Sequence, residues 1–156
     1  MSSGDGAIPR IPASAGALIW DRKGRLLILK PTYKAGWTVP GGMVEADGET
    51  PWEACRRETR EESGLRLRRG TLVCVDFLRP RASRPGGVRL LFDTERLDAS
   101  ALAGIELQQD EISDYRFARV ERALKLLSGP VRRRVAATLH EPGRCRYLED
   151  GRPVRR

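Results

Sequence analysis

The chain is expected to fold as an α+β domain built on a mixed β-sheet. Short apolar runs with strand character open it, one sharply bounded helix follows the third run, and helical segments return only near the end, after a further strand pair.

Taken in order, residues 1 to about 10, which open on the small, polar stretch Met1 to Gly6, are expected to form a disordered tail. Ala15 to Trp20 and Arg25 to Lys30 are apolar runs joined by Asp21-Arg22-Lys23-Gly24, the composition of a hairpin. A short strand ending at Val39 runs into a glycine loop, Gly41-Gly42, whose backbone can approach a ligand because neither residue carries a Cβ. Thr50-Pro51-Trp52-Glu53 is a capping box with Pro at the first helical position, so a helix starts at about residue 51, and Gly64 supplies its left-handed stop. Thr71 to Leu78 and Val88 to Asp93 form another strand pair across the Pro- and Arg-rich loop Arg79 to Gly87. Glu111 to Phe117 is a last short strand, and Arg119 to Leu127 and Val131 to Leu139 read as helices separated by Ser128-Gly129-Pro130. One domain therefore spans residues 11 to 140, and residues 141 to 156 form a basic tail, partly ordered at best.

A length of 156 residues with 40% hydrophobic content suits one core. No apolar run approaches the roughly 18 residues of a membrane span, and Met1 to Gly6 lacks signal-peptide character, so a cytoplasmic enzyme is expected. Cys55, Cys74 and Cys145 are odd in number and lack a CxxC spacing, which argues for reduced thiols over a disulfide framework or zinc site. The net charge of +8 allows a polyanionic partner, yet much of it lies in Arg132-Arg133-Arg134 and in Arg152, Arg155 and Arg156 without interleaved aromatics. A solvated helix face and a frayed tail explain these arginines as well as nucleic acid does.

Glu58, Glu61 and Glu62 are the most informative residues. At about 100° per residue they share a helical sector roughly 100° wide, where like charges repel unless a cation intervenes. Clustered hard oxygens suit Mg²⁺ or Mn²⁺, and a solvated acidic face is the plainer reading of the triplet by itself. Arg57 can pair with Glu53 and Glu61, four residues either way, leaving Glu58 and Glu62 to a cation.

From Glu49 onward the chain resembles the Nudix box: a seven-residue spacer, Arg57-Glu58, Thr59, Arg60, Glu61-Glu62, Ser63, Gly64 and Leu65. It departs from the pattern twice. Residues 43 to 48 put one extra position between Gly42 and Glu49, absorbed in an Asp47-Gly48 turn, and Thr59 stands where an aliphatic residue is usual, as a core contact away from any metal.

The resemblance implies a Nudix-type α/β/α sandwich with a mixed sheet, and a metal-dependent hydrolase. It implies metal ligands at Glu58, Glu61 and Glu62 with a backbone carbonyl near Gly42, Arg57 orienting the cluster, and Glu49 bracing it. The base that takes the water's proton varies in the family; Glu111 is the candidate here, with Asp110 its competitor and Asp93 and Glu95 behind. Lys30, Lys34, Arg79 and Arg89 are candidates for phosphates, and Tyr33, Trp37 or Phe77 for a base or sugar, although core packing is the commoner fate of such aromatics. Pro80 lies fifteen residues past Leu65, where ADP-ribose hydrolases of the family often carry proline, which tilts the expectation toward nucleotide sugars over nucleoside triphosphates. The alternatives are an RNA-directed 5′-end pyrophosphohydrolase and a non-catalytic nucleotide-binding sensor. The resemblance also allows a homodimer.

Overall fold

The computed structural model describes residues 6–155. Among the described residues the elements follow one another as β1 (Ala13–Leu18), β2 (Leu26–Pro31), β3 (Gly41–Met43), α1 (Pro51–Ser63), β4 (Gly70–Leu78), β5 (Gly87–Thr94), α2 (Ala99–Leu102), β6 (Ile112–Ala118), α3 (Val120–Leu126), α4 (Gly129–His140), β7 (Arg146–Glu149) and β8 (Arg152–Pro153). A six-stranded mixed sheet runs β3-β1-β5-β4-β7-β8, with β1/β5 and β4/β7 parallel, and β2 and β6 form a separate antiparallel pair.

Alternation along the strands splits the interior into two cores. Ala15, Ala17 and Ile19 pack with Cys55, Leu65 and Leu67 on the α1 side. Leu18, Cys74, Leu91 and Leu148 face Val131 and Val135 of α4. The sheet is thus sandwiched between helices, and the acidic helix lies over β1 and β3.

Four expectations are corrected. The Asp21 turn forms, with its side chain accepting from the backbone N–H of Lys23 and Arg25 at 2.9 Å each, but beyond the Trp20–Leu26 bridge the strands part into different sheets. The predicted hairpin is therefore only one turn deep. The segment ending at Val39 makes isolated bridges through Trp37 and Thr38, and it is the glycine segment Gly41–Met43 that becomes a strand, paired with β1. The segment assigned to a tail forms part of the sheet: β7 pairs with β4 and with β8, and Leu148 is fully buried. The short helix α2 was not anticipated. Of the tail assigned to residues 1 to 10, residues 1–5 lie outside the described residues, and 6–10 are exposed without regular structure.

Candidate active site

Local chemistry positions α1. Thr50 Oγ1 accepts from the Glu53 backbone N–H at 3.2 Å and Glu53 Oε2 accepts from the Thr50 N–H at 2.8 Å, so the capping box is closed in both directions. Gly64 ends the helix at φ 76°, where a side chain would be strained. Thr59 is fully buried, as a core contact should be. Between these limits Glu58, Glu61 and Glu62 project from one side.

The three differ in surroundings. Glu62 is only 4% exposed and accepts the Gly41 backbone N–H at 2.8 Å. Burial pushes its carboxyl up to about 8, opposed by the Gly41 N–H and reinforced by Glu58 and Glu111. Glu58 is half-buried, and its carboxyl is raised first by burial, then by Glu61 and Glu111, against the pull of Arg57. Glu61 is exposed. A Cβ at Gly42 would come within 2.5 Å of Glu58 Oε1, so the strand backbone and this carboxylate occupy a space only glycine leaves open.

Arg57 is the hub. Its Nε donates to Glu49 Oε1 at 2.6 Å and Nη2 donates to Glu49 Oε2 at 3.1 Å, a two-pronged pair, while Nη2 also donates to the Met43 carbonyl at 3.1 Å. Nη1 donates to Glu58 at 3.0 Å and Glu61 at 3.3 Å. The expected partner Glu53 is absent from this set because its carboxylate closes the capping box. Glu49 in turn accepts the Glu45 N–H at 2.9 Å, and the Gly48 turn carries the extra residue without displacing α1.

Glu111 is brought to the site by a single turn. The Gln108 N–H donates to the Glu62 carbonyl at 3.1 Å, the Ile112 N–H closes the turn on Gln108 at 2.8 Å, and the Thr32 N–H donates to the Glu111 carbonyl at 2.8 Å. Glu111 is thereby close enough to raise the carboxyls of both Glu58 and Glu62. Asp110 contributes its carbonyl to the Thr32 hydroxyl, while Asp93 accepts from Trp20 Nε1 and Glu95 from the Arg68 and Arg69 N–H groups.

The remaining candidates scatter. Tyr33 is 67% exposed, and its hydroxyl is raised first by partial burial, then by Glu62, Glu111 and Glu58, so it lies at the acidic group. Lys34 is exposed by area yet crowded by protein; that crowding and then Arg134 lower its pKa, while Glu62 raises it. Lys30 faces Asp114 in the separate β2/β6 sheet. Arg79 pairs with Glu149 at 3.0 Å, and Arg89 has Arg134, Arg84 and Asp76 as its charged neighbours. Trp37 is buried under Arg116 and is structural, and Phe77 is half-buried. Sequence reading missed the buried pair of Arg134 Nε with Asp76 Oδ2, 2.8 Å apart; its signal is a lone charge inside the apolar run Thr71 to Leu78.

A helix bearing Arg57-Glu58 and Glu61-Glu62, laid against a glycine strand of a mixed sheet flanked by helices, defines a Nudix hydrolase. The chain belongs to that family: the NUDIX domain model matches residues 10–139. It is 32% identical over 125 residues to a MutT-like protein from Streptomyces ambofaciens, covering 76% of this chain and 77% of that one. Over 75 residues it is 41% identical to an RNA pyrophosphohydrolase from Aeromonas hydrophila subsp. hydrophila, covering 48% of this chain and 40% of that protein. A MutT protein structure from Methanosarcina mazei Go1 shares the fold with a TM-score of 0.70 at 24% identity, covering 86% of this chain and 96% of that one. The protein is thus a hydrolase of phosphorus-containing acid anhydrides. Among the described residues no helix is long and apolar enough to cross a membrane.

Proposed function

We propose that this enzyme is a divalent-metal-dependent pyrophosphohydrolase that cleaves the diphosphate of a nucleoside diphosphate derivative. Its substrate is a nucleotide sugar such as ADP-ribose or a nucleoside triphosphate, and its products are a nucleoside monophosphate and a phosphorylated partner. The observation that carries the reading is the crowding of Glu58 and Glu62, two partly desolvated carboxylates, with Glu58 adding to the burial that raises Glu62, beside a glycine whose Cβ would overlap Glu58. Such a pair fits a hard cation, which relieves the repulsion.

Glu58, Glu62 and the exposed Glu61 would hold Mg²⁺ or Mn²⁺ with the carbonyl near Gly42, and the ion would supply charge neutralisation and water activation. The protein's own residues do the rest. The Gly41 N–H orients Glu62, Arg57 orients Glu58 and Glu61, and Glu49 fixes Arg57 while closing the 45–49 loop. Glu111, facing both carboxylates across the 108–112 turn, takes the proton from the attacking water. Tyr33 and Lys34 stand where the substrate enters. Three free cysteines support a reducing, cytoplasmic setting.

A second reading, an RNA 5′-end pyrophosphohydrolase, is favoured by the stretch resembling the Aeromonas enzyme. The test is monophosphate or phosphate release from ADP-ribose, other nucleotide sugars, dinucleoside polyphosphates, nucleoside triphosphates and a 5′-triphosphorylated RNA, each with Mg²⁺, Mn²⁺ or EDTA. Metal-dependent release from a small nucleotide supports the first reading, and release from RNA alone transfers support to the second. Silence from a folded protein across every substrate and metal overturns both.

A further inference from the structure

The arginines behind the net charge are gathered, not spread. A cavity of about 700 Å³ opens between the end of β4, the 79–84 loop, the start of α4 and the β7–β8 turn. Among the described residues, seven arginines line it against three carboxylates, Asp76, Glu149 and Asp150. Those acids are already engaged: Asp76 by Arg134 at 2.8 Å, Glu149 by Arg79 at 3.0 Å, and Asp150 by Arg84 at 3.0 Å and Arg81 at 3.7 Å. Arg133, Arg152 and Arg155 line the same space with no carboxylate partner among the described residues.

Two guanidinium donors point to a missing acceptor. Arg84 Nε and Arg89 Nη1 are enclosed by protein and donate to nothing. A buried donor without an acceptor is unfavourable, the more so when charged, and an anion is one group that would satisfy it. Arg89, which does not itself line the cavity, has Arg134 and Arg84 of its wall as charged neighbours, which joins the enclosed donors to the cavity.

The cluster also lies within reach of the carboxylates. Met43, Ser14, Arg89 and Asp76 stand in one row across the sheet, which puts Arg89 two strands, about 10 Å, from the β3 edge. Lys34 lies near both groups: burial first, then Arg134, lowers its pKa, Glu62 raises it and Arg89 lowers it. No aromatic ring lines the cavity among the described residues, so it offers a base nothing to stack on and offers a phosphate many forked donors.

We propose that this cavity receives a second phosphate group of the substrate, one separate from the diphosphate that is cut. This deepens the hydrolase reading and rests on it. The favoured substrate is then a nucleotide anhydride carrying a further phosphate ester, either a phosphomonoester on the ribose or the next phosphodiester of a short 5′-triphosphorylated oligonucleotide.

Matched pairs test it. With the full-length enzyme and Mg²⁺, kcat/KM is compared for ADP-ribose and its 2′-phosphate, and for ATP and the 5′-triphosphorylated dinucleotide pppApG. The phosphate-bearing member of at least one pair is expected to be better by tenfold or more, and the pair that shows it identifies the source. The ratio should fall toward one in R84Q and in R133Q, the latter at an exposed helix position that leaves folding intact. Equal values within both wild-type pairs overturn the proposal. Calorimetry in EDTA with adenosine 3′,5′-bisphosphate and AMP separates the two layers of the argument. Tighter bisphosphate binding, weakened in R133Q, supports the cavity even if no substrate is hydrolysed, whereas hydrolysis with equal binding of the two ligands removes the cavity and leaves the hydrolase standing.

Discussion

Around Arg57 one guanidinium faces Glu45, Glu49, Glu58 and Glu61, whereas around Asp76 one carboxylate sits in a cavity crowded with arginines. The first region is acidic with one internal cation, and the second is basic, its arginines outnumbering three carboxylates of which Asp76 is the most deeply buried. Each internal counter-ion is used structurally: Arg57 ties α1 to β3 and to the 45–49 loop, and Asp76 ties β4 to α4 through Arg134 and to the tail through the Gly151 N–H at 2.9 Å. What remains on each side is surplus charge of opposite sign. The contrast teaches that one fold can set neighbouring surfaces of opposite charge side by side, because the pair that fixes the backbone on each side is distinct from the charges left over.

Breaking the basic side should give the largest effect. Arg134→Ala leaves Asp76, 1% exposed, as an uncompensated buried charge, and the expected cost is about 3–5 kcal/mol in chemical denaturation. On the acidic side, Glu62→Gln keeps an oxygen for the Gly41 N–H, so the melting temperature should hold while kcat falls on the order of 10²–10³-fold. Unchanged turnover in that variant would sink the metal assignment. Gly42→Ala places a methyl group against Glu58 and should lower kcat/KM by about ten- to a hundredfold through displacement of one carboxylate, with far-ultraviolet circular dichroism unaltered. Arg57→Lys keeps the charge but loses the two-pronged grip on Glu49, and a smaller loss of kcat/KM, about tenfold, is expected.

The smallest effect is one of pH. The Arg79 backbone N–H, then the guanidinium groups of Arg81, Arg84 and Arg79, hold the Asp150 carboxyl below its ordinary range. Its contribution to stability is therefore present above the ordinary carboxylate pKa and is lost as pH falls through the lower folded value. Thermal melts of wild type and Asp150→Asn should differ at neutral pH and converge in acid; a gap that persists to the lowest pH would remove this contact from the account.

The acidic side was largely legible in the sequence and the basic side was not. Glu58, Glu61 and Glu62 share a face by helical spacing alone, and the Thr50–Glu53 box and Gly64 set both helix ends through local chemistry. Of Arg57's partners, Glu61 follows from helical spacing and Glu49 is placed at the cluster by the resemblance, whereas Met43 reaches it through a loop, not along the helix. The strand Gly41–Met43 has almost no side chains to show a period, and it is specified by β1 beside it. The tail fails the same test: Arg146–Glu149 is short and charged, and its order comes from β4, some seventy residues earlier, and from burial of Leu148. The arginine cavity combines three such long-range placements, so runs that read as a solvated face and a frayed end meet around Asp76.

Cation binding by Glu58 and Glu62 is the proposal that a single measurement tests most directly. Electron paramagnetic resonance of free Mn²⁺ titrated with the full chain measures that binding without any substrate or turnover. Wild type should remove Mn²⁺ from solution, the removal strengthening with a non-hydrolysable nucleotide, and a Glu58→Gln/Glu62→Gln variant that melts normally should remove much less. Equal binding by the two proteins would contradict the assignment of these carboxylates and, with it, the comparison drawn here.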